Sequence, residues 1–164
     1  MRQPANHHLA QLNIGHIRYE IDDPRMAGFA DNLQMVNRLA ERSPGFVWRY
    51  IDESGNSTAT RPYADPRVAI NLSVWESIEA LERFVYLTVH KQFYGRRAEW
   101  FEHFDGPYFV MWWVPAGRLP NVDEAVARLE HLKAHGPTEH AFDWTTASAQ
   151  LWKTARCAPG EHAA

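Results

Sequence analysis

The chain has 164 residues, 45% hydrophobic and 23% charged, enough for one domain with its own core and too few for two. Its 17 Lys and Arg against 20 Asp and Glu leave a net charge of −3, which offers no broad basic field for a phosphate backbone. The single cysteine, Cys157, excludes an internal disulfide, and no Cys/His cluster has zinc spacing. Met1–Ala10 lacks an apolar core behind a basic start, and no segment approaches about 18 uninterrupted apolar residues. The expectation is a cytoplasmic chain with neither a nucleic-acid nor a membrane partner. Aromatic residues reach 13%, with seven Trp, which suits either a large-residue core or a cavity for a flat ligand.

Alternation over Leu9–Ile17 predicts a first strand, with Ala10, Leu12, Ile14 and His16 on one face and Gln11, Asn13 and Gly15 on the other. Asp22-Asp23-Pro24 reads as a helix start, and Met26, Phe29, Leu33, Val36, Leu39 and Ala40 mark one apolar face as far as Arg42. Ser43-Pro44-Gly45 ends that helix, and a second strand covers Phe46–Ile51. A polar turn region, Asp52–Thr60, precedes the third strand, Val68–Trp75. A second helix is expected from Ile78 to about Phe104, with Gly95 as a break or kink, and Asp105-Gly106-Pro107 as its stop. The fourth strand is Tyr108–Val114. A third helix follows at Val122–His135, closed by Gly136-Pro137, and Ala141–Trp144 suits a short extra strand.

This order, β-α-β-β-α-β and then a helix, predicts an α+β fold with a ferredoxin-like sheet over residues 8–144 and a loosely ordered tail over 145–164. Both faces of the fourth strand are apolar, so both need cover. Helices supply one. A second copy of the sheet is the economical cover for the other, and a homodimer is expected.

Period two directs Asn71, Ser73 and Trp75 toward one space, and Gln11 and Asn13 share their alternation on a neighbouring strand. Apolar walls with a few oriented polar groups suit a small aromatic or apolar ligand. The substrate-binding candidates are therefore Asn13, Asn71, Ser73, Trp75 and, from the second strand, Trp48. The alternative is that the polar groups satisfy one another or trapped water. His90 flanks the apolar face of the second helix and is the candidate base, with Arg97 placed to stabilise an oxyanion; both are the catalytic candidates. A boundary histidine bonded to backbone or water is the plainer reading. His16 and His103 fit core positions, and His131 and His135 form an i, i+4 pair that suits a metal ion or, more simply, solvent. No metal centre is expected from these.

Several blocks carry a family resemblance: Leu9-Ala10-Gln11-Leu12-Asn13-Ile14, Ser43-Pro44-Gly45-Phe46-Val47-Trp48-Arg49, Asn71-Leu72-Ser73-Val74-Trp75-Glu76-Ser77, Arg96-Arg97-Ala98-Glu99-Trp100-Phe101-Glu102 and Trp112-Trp113-Val114-Pro115-Ala116-Gly117. They resemble an uncharacterised bacterial family known only as a domain of unknown function. That family is similar to the antibiotic-biosynthesis-monooxygenase-like group of dimeric α+β barrels. The resemblance implies a dimeric barrel, and it implies that Asn71, four residues before Trp75, holds a substrate as in cofactor-independent oxygenases. Haem-degrading members imply a second possibility, His90 as an axial haem ligand. Three readings follow: a monooxygenase-like enzyme without cofactor acting on an aromatic or enolisable substrate, a non-catalytic ligand-binding dimer, and a haem protein.

Overall fold

The alternating segment near the start of the chain forms β1 (His7–His16), and β2 (Phe46–Arg49), β3 (Val68–Trp75) and β4 (Phe109–Pro115) join it in one open antiparallel sheet of order β2-β3-β1-β4. The computed structural model describes residues 1–88 and 96–147. Helix α1 (Ala27–Glu41) lies between β1 and β2, α2 (Ile78–Leu87) follows β3, the short α3 (Arg97–Trp100) precedes β4, and α4 (Val122–His135) follows it. The fold is mixed α+β.

Local chemistry sets the element ends. Asp23 Oδ1 accepts from the Arg25 N–H at 2.9 Å and opens a 3-10 turn at Pro24–Met26 ahead of α1. Ser77 Oγ and Asn121 Oδ1 cap α2 and α4 by accepting from Ala80 N and Glu124 N. Gly136, at φ +70°, closes α4 in a backbone region that L side chains avoid. In the loop after β2, the Asp52 carboxylate accepts from the backbone N–H groups of Ser54, Ala59 and Thr60, which holds the polar turn together.

The sheet is apolar on both faces, and the chain covers both. On one face Leu12, Leu72, Val74, Val110 and Trp112 pack under Ala125, Leu129 and Leu132 of α4. Trp112 Nε1 also donates to Glu124 Oε1 at 3.2 Å. Burial alone would raise the Glu124 carboxyl, but Arg118 and Arg128 hold it below its usual range. On the other face Leu9, Trp75 and Met111 meet Ala40 of α1, Ile78, Leu81 and Phe84 of α2, and Phe142 and Ala147. The face that the sequence assigned to a second copy is therefore filled by α4. The two apolar faces do not by themselves call for a dimer.

Other expectations are corrected in detail. The second helix ends at Leu87, where Thr88 turns extended, and the chain is extended again at Phe101, so no helix reaches Phe104. Gly95 lies outside the described residues. The strand expected at Ala141–Trp144 reduces to one bridge, Phe142 to Met111, closed by two backbone hydrogen bonds of 2.7 and 2.9 Å. The segment 145–147, placed in the tail by sequence, is docked: Ala147 is buried, and the Met1 amine donates to Thr146 O. The rest of the tail lies outside the described residues.

Strand β2 carries an irregularity. Phe46 pairs with Trp75, yet Trp48 pairs with Val74 and Arg49 with Ser73, so Val47 is an extra residue. One inserted residue moves every later side chain to the opposite face.

Leu129 is fully buried under the sheet. Leu129→Ala should lower stability by about 2–5 kcal/mol in denaturant titration, with a midpoint independent of protein concentration. A midpoint that rises with concentration would mean that a second copy completes this face.

Candidate functional site

One polar island interrupts the α1/α2 face. Strands β1 and β3 pair so that Leu9 faces Trp75, Gln11 faces Ser73 and Asn13 faces Asn71. Ser73 Oγ is the hub. It accepts from Gln11 Nε2 at 2.7 Å and from Trp75 Nε1 at 2.9 Å, and Gln11 Nε2 also reaches Asn71 Oδ1 at 3.2 Å. Gln11 is only 4% exposed, and its Oε1 has no hydrogen-bond partner. Turning the amide over would pair Oε1 with the Ser73 hydroxyl but strand the NH2 group instead. One end of this amide is left over in either orientation.

The island opens at Asn71. That residue is exposed in the middle of β3 although Ile70, Leu72 and Ser73 beside it are buried, and Asn13 is half-buried. On the same side of the sheet, Phe29, Leu33, Val36 and Leu39 of the apolar face of α1 are only half-buried. One end of the opening is shut by Phe101. A Cβ on Gly15 would lie 2.6 Å from the Phe101 ring, and Phe29 packs edge-on to that ring at 5.3 Å. The other end is shut by Trp75, with Phe46 edge-on at 5.3 Å and Phe84 stacked at 5.1 Å. Along β4, Phe109 stacks on Trp144 with centroids 5.2 Å apart, and Tyr86 meets Trp144 edge-on.

The structure sorts the sequence candidates. Asn13, Asn71, Ser73 and Gln11 come together as expected. Trp75 joins them from inside the core: at 1% exposure its indole fixes the Ser73 hydroxyl and has no free face for a ligand. Trp48 does not join them. The extra residue at Val47 sends it to the α4 face, against Tyr50. Arg49 takes the inner position instead, opposite Ser73, with its side chain 15% exposed and its Nε donating to Glu41 Oε1 at 2.7 Å. Regular alternation of β2 hides this arginine, and only the register reveals it. Arg97 is exposed on α3, whose end pairs with Ile17 and Arg18 beyond β1. Trp75 lies across from Leu9 at the other end of that strand, roughly 24 Å away by strand rise. Arg97 and Trp75 therefore flank opposite ends of the sheet. His90 lies outside the described residues. Helix α2 also buries a carboxylate, Glu82, which no sequence signal singled out.

The remaining histidines stand elsewhere. His16 is bracketed on the α4 face, its Nδ1 2.6 Å from Glu102 and its Nε2 2.7 Å from Asp65. His103 is exposed rather than in the core, because the helix stops before it. The rings of His135 and His140 lie 4.5 and 4.7 Å from that of His131. Burial, Arg128 and His131 push the His140 imidazole down, and Arg128 donates to its Nδ1 at 2.8 Å. Among the described residues no group of three or more His, Cys, Asp or Glu is arranged to hold a metal ion, and no helix is long and apolar enough to cross a membrane.

Residues 8–157 match the family model described as "Domain of unknown function (DUF3291)", which spans most of the chain. Neither a curated protein nor a solved structure matches it.

Ser73→Ala should strip acceptors from two buried N–H donors at once. The expected cost is about 2–4 kcal/mol in thermal or denaturant unfolding, and Ser73→Thr, which keeps the hydroxyl, should recover part of it.

Proposed function

This chain belongs to the DUF3291 family, whose domain has no assigned function, and we propose that it binds a small, flat aromatic or apolar molecule over Asn13 and Asn71, between α1 and the sheet. One observation carries the proposal: a buried amide with an unpaired end, Gln11, adjoins an exposed Asn71 on the side of the sheet where the apolar face of α1 is only half-buried. A face evolved only for packing would place apolar residues there. The strand order β2-β3-β1-β4, with helices after β1 and after β3, supports reading the sheet as ferredoxin-like. The homodimer expected from the sequence is kept as part of this proposal, with α4 lying over the sheet face opposite α1 and α2.

The test is direct. 1-Naphthol should quench tryptophan fluorescence saturably, and Asn71→Trp, which fills the opening from an exposed position, should abolish that saturation without lowering the melting temperature. Undiminished binding by Asn71→Trp, or none by the wild type, overturns the proposal.

Catalysis at the same place is the second reading, favoured by Asn71 sharing a face with Trp75 and Ser73. It is an enzyme of the cofactor-independent monooxygenase kind, forming an anionic intermediate from an aromatic or enolisable substrate. His90 would remove the proton, and the anion would be held by Asn71 with Arg97 or, nearer in register, Arg49. The haem reading needs His90 as axial ligand and the aromatic wall as its flank. Titrated hemin is expected to leave the visible spectrum unchanged by the protein. A saturable Soret shift lost in His90→Ala would instead establish haem binding.

A further inference from the structure

We propose that the turn leading from α4 to the edge of β4 is a proton-operated latch, in which protonating His140 and His131 loosens the turn and lets residues 141–147 open away from β4. The hydrogen bonds that hold the turn have directions fixed by their chemistry. A guanidinium can only donate, so the 2.8 Å contact from Arg128 Nη1 makes His140 Nδ1 an acceptor. The same Nη1 donates to the His140 backbone oxygen at 2.7 Å. Thr138 Oγ1 accepts from the backbone N–H groups of His140 and Ala141 at 3.2 and 3.4 Å. Its own hydrogen is left for His131 Nε2, 3.1 Å away, which therefore accepts as well. Both imidazoles are tied into the turn through a lone pair. A proton on either lone pair sets a donor against a donor.

Charge acts in the same direction. The His131 ring lies 4.5 Å from that of His135 and 4.7 Å from that of His140, so protonated rings repel one another and Arg128. Among the described residues, the charged and titratable groups around His140 are Glu124, Arg128, His131 and His135 of α4, with Glu139 beside it in the chain. Glu124 favours the protonated ring, but it is shared among Arg118, Arg128 and the Trp112 indole. Burial, Arg128 and His131 together hold His140 below its ordinary value of 6.5. A ring that protonates less readily closed than open favours the closed turn above that value, and the advantage is lost as pH falls below it. What the latch holds is next in the chain. Ala141 and Phe142 are fully buried, and Phe142 exchanges two backbone hydrogen bonds with Met111. Phe142 also lies against Trp113, and Trp144 stacks on Phe109. Opening this segment leaves the Met111 N–H and C=O unpaired at the edge of the sheet.

Amide exchange of the full chain reads the opening when measured at about pH 7.5 and about pH 5.5 and corrected for the intrinsic pH dependence of exchange. Protection at Met111 and Phe142 should fall at least about threefold at the lower pH, while protection at Leu12 and Leu72 in the central strands holds within about twofold. His140→Asn keeps an acceptor near the place of Nδ1 and cannot titrate, so the fall should shrink there. It should disappear in the double variant His140→Asn, His131→Gln. A fall that is absent from the wild type, that extends equally to Leu12 and Leu72, or that persists in the double variant overturns the latch. A nitrogen-correlated NMR spectrum of the wild-type imidazoles checks the wiring without any substitution: at the higher pH His140 should carry its proton on Nε2, and a proton on Nδ1 overturns the latch as well.

Discussion

A sheet that is apolar on both faces can leave neither to water, and the rest of this fold follows from that constraint. Burying one large side chain is worth about 1.5–3 kcal/mol, so two faces of leucine, valine and tryptophan demand two covers. The chain has helices enough for both. Helix α4 closes one face with small and branched residues, Ala125, Leu129 and Leu132, that let it approach the strands closely. The other face receives α1 and α2 from the crossover connections, together with the segment 142–147 folded back beside β4.

The two covers are not equivalent. Under α4 the buried cluster is apolar throughout, with ion pairs around Glu124 at its edge and the Tyr63 hydroxyl beside it buried without a hydrogen-bond partner. Under α1 it is not, because the strands place amides where leucine would fill the gap. A glutamine buried against a serine and an indole is tolerable only because Ser73 takes two hydrogen bonds at once. Its remaining polar end is a cost with no compensation inside the described protein. The buried amide row of β1 and β3 lies on one side of the sheet only, the side on which the apolar face of α1 is half-buried.

Much of this was legible from periodicity. The bounds of β3 and α4 match the sequence reading because each has an unbroken pattern and a clear stop: Glu76-Ser77 after one, Gly136-Pro137 after the other. The convergence of Asn13, Asn71, Ser73 and Gln11 was legible for the same reason, since strict alternation fixes the face of every residue once the pairing is known. What failed depended on register or on tertiary context. Trp48 and Arg49 exchanged roles because an inserted residue in β2 has no signature in a four-residue strand. The helix expected through His103 stopped early, since its apolar repeat continues where Phe101 instead extends to cover Gly15. The apolar stripe of α4 covers a face for which the sequence reading had named only a second copy.

Trp75 shows why a matched spacing does not assign a role. Its position four residues after Asn71 fits the pattern of a substrate-holding pair, and both do lie on one face. Yet an indole stacked on Phe84, crossed by Phe46 and bonded to Ser73 has spent both its ring faces and its N–H. Its effect on any ligand passes through Ser73 to Gln11, as the fixed end of a chain of donors. Asn71 is the exposed end of that row. The row's far end is anchored in the core, so the direction in which Asn71 faces is set by the sheet rather than by a loop.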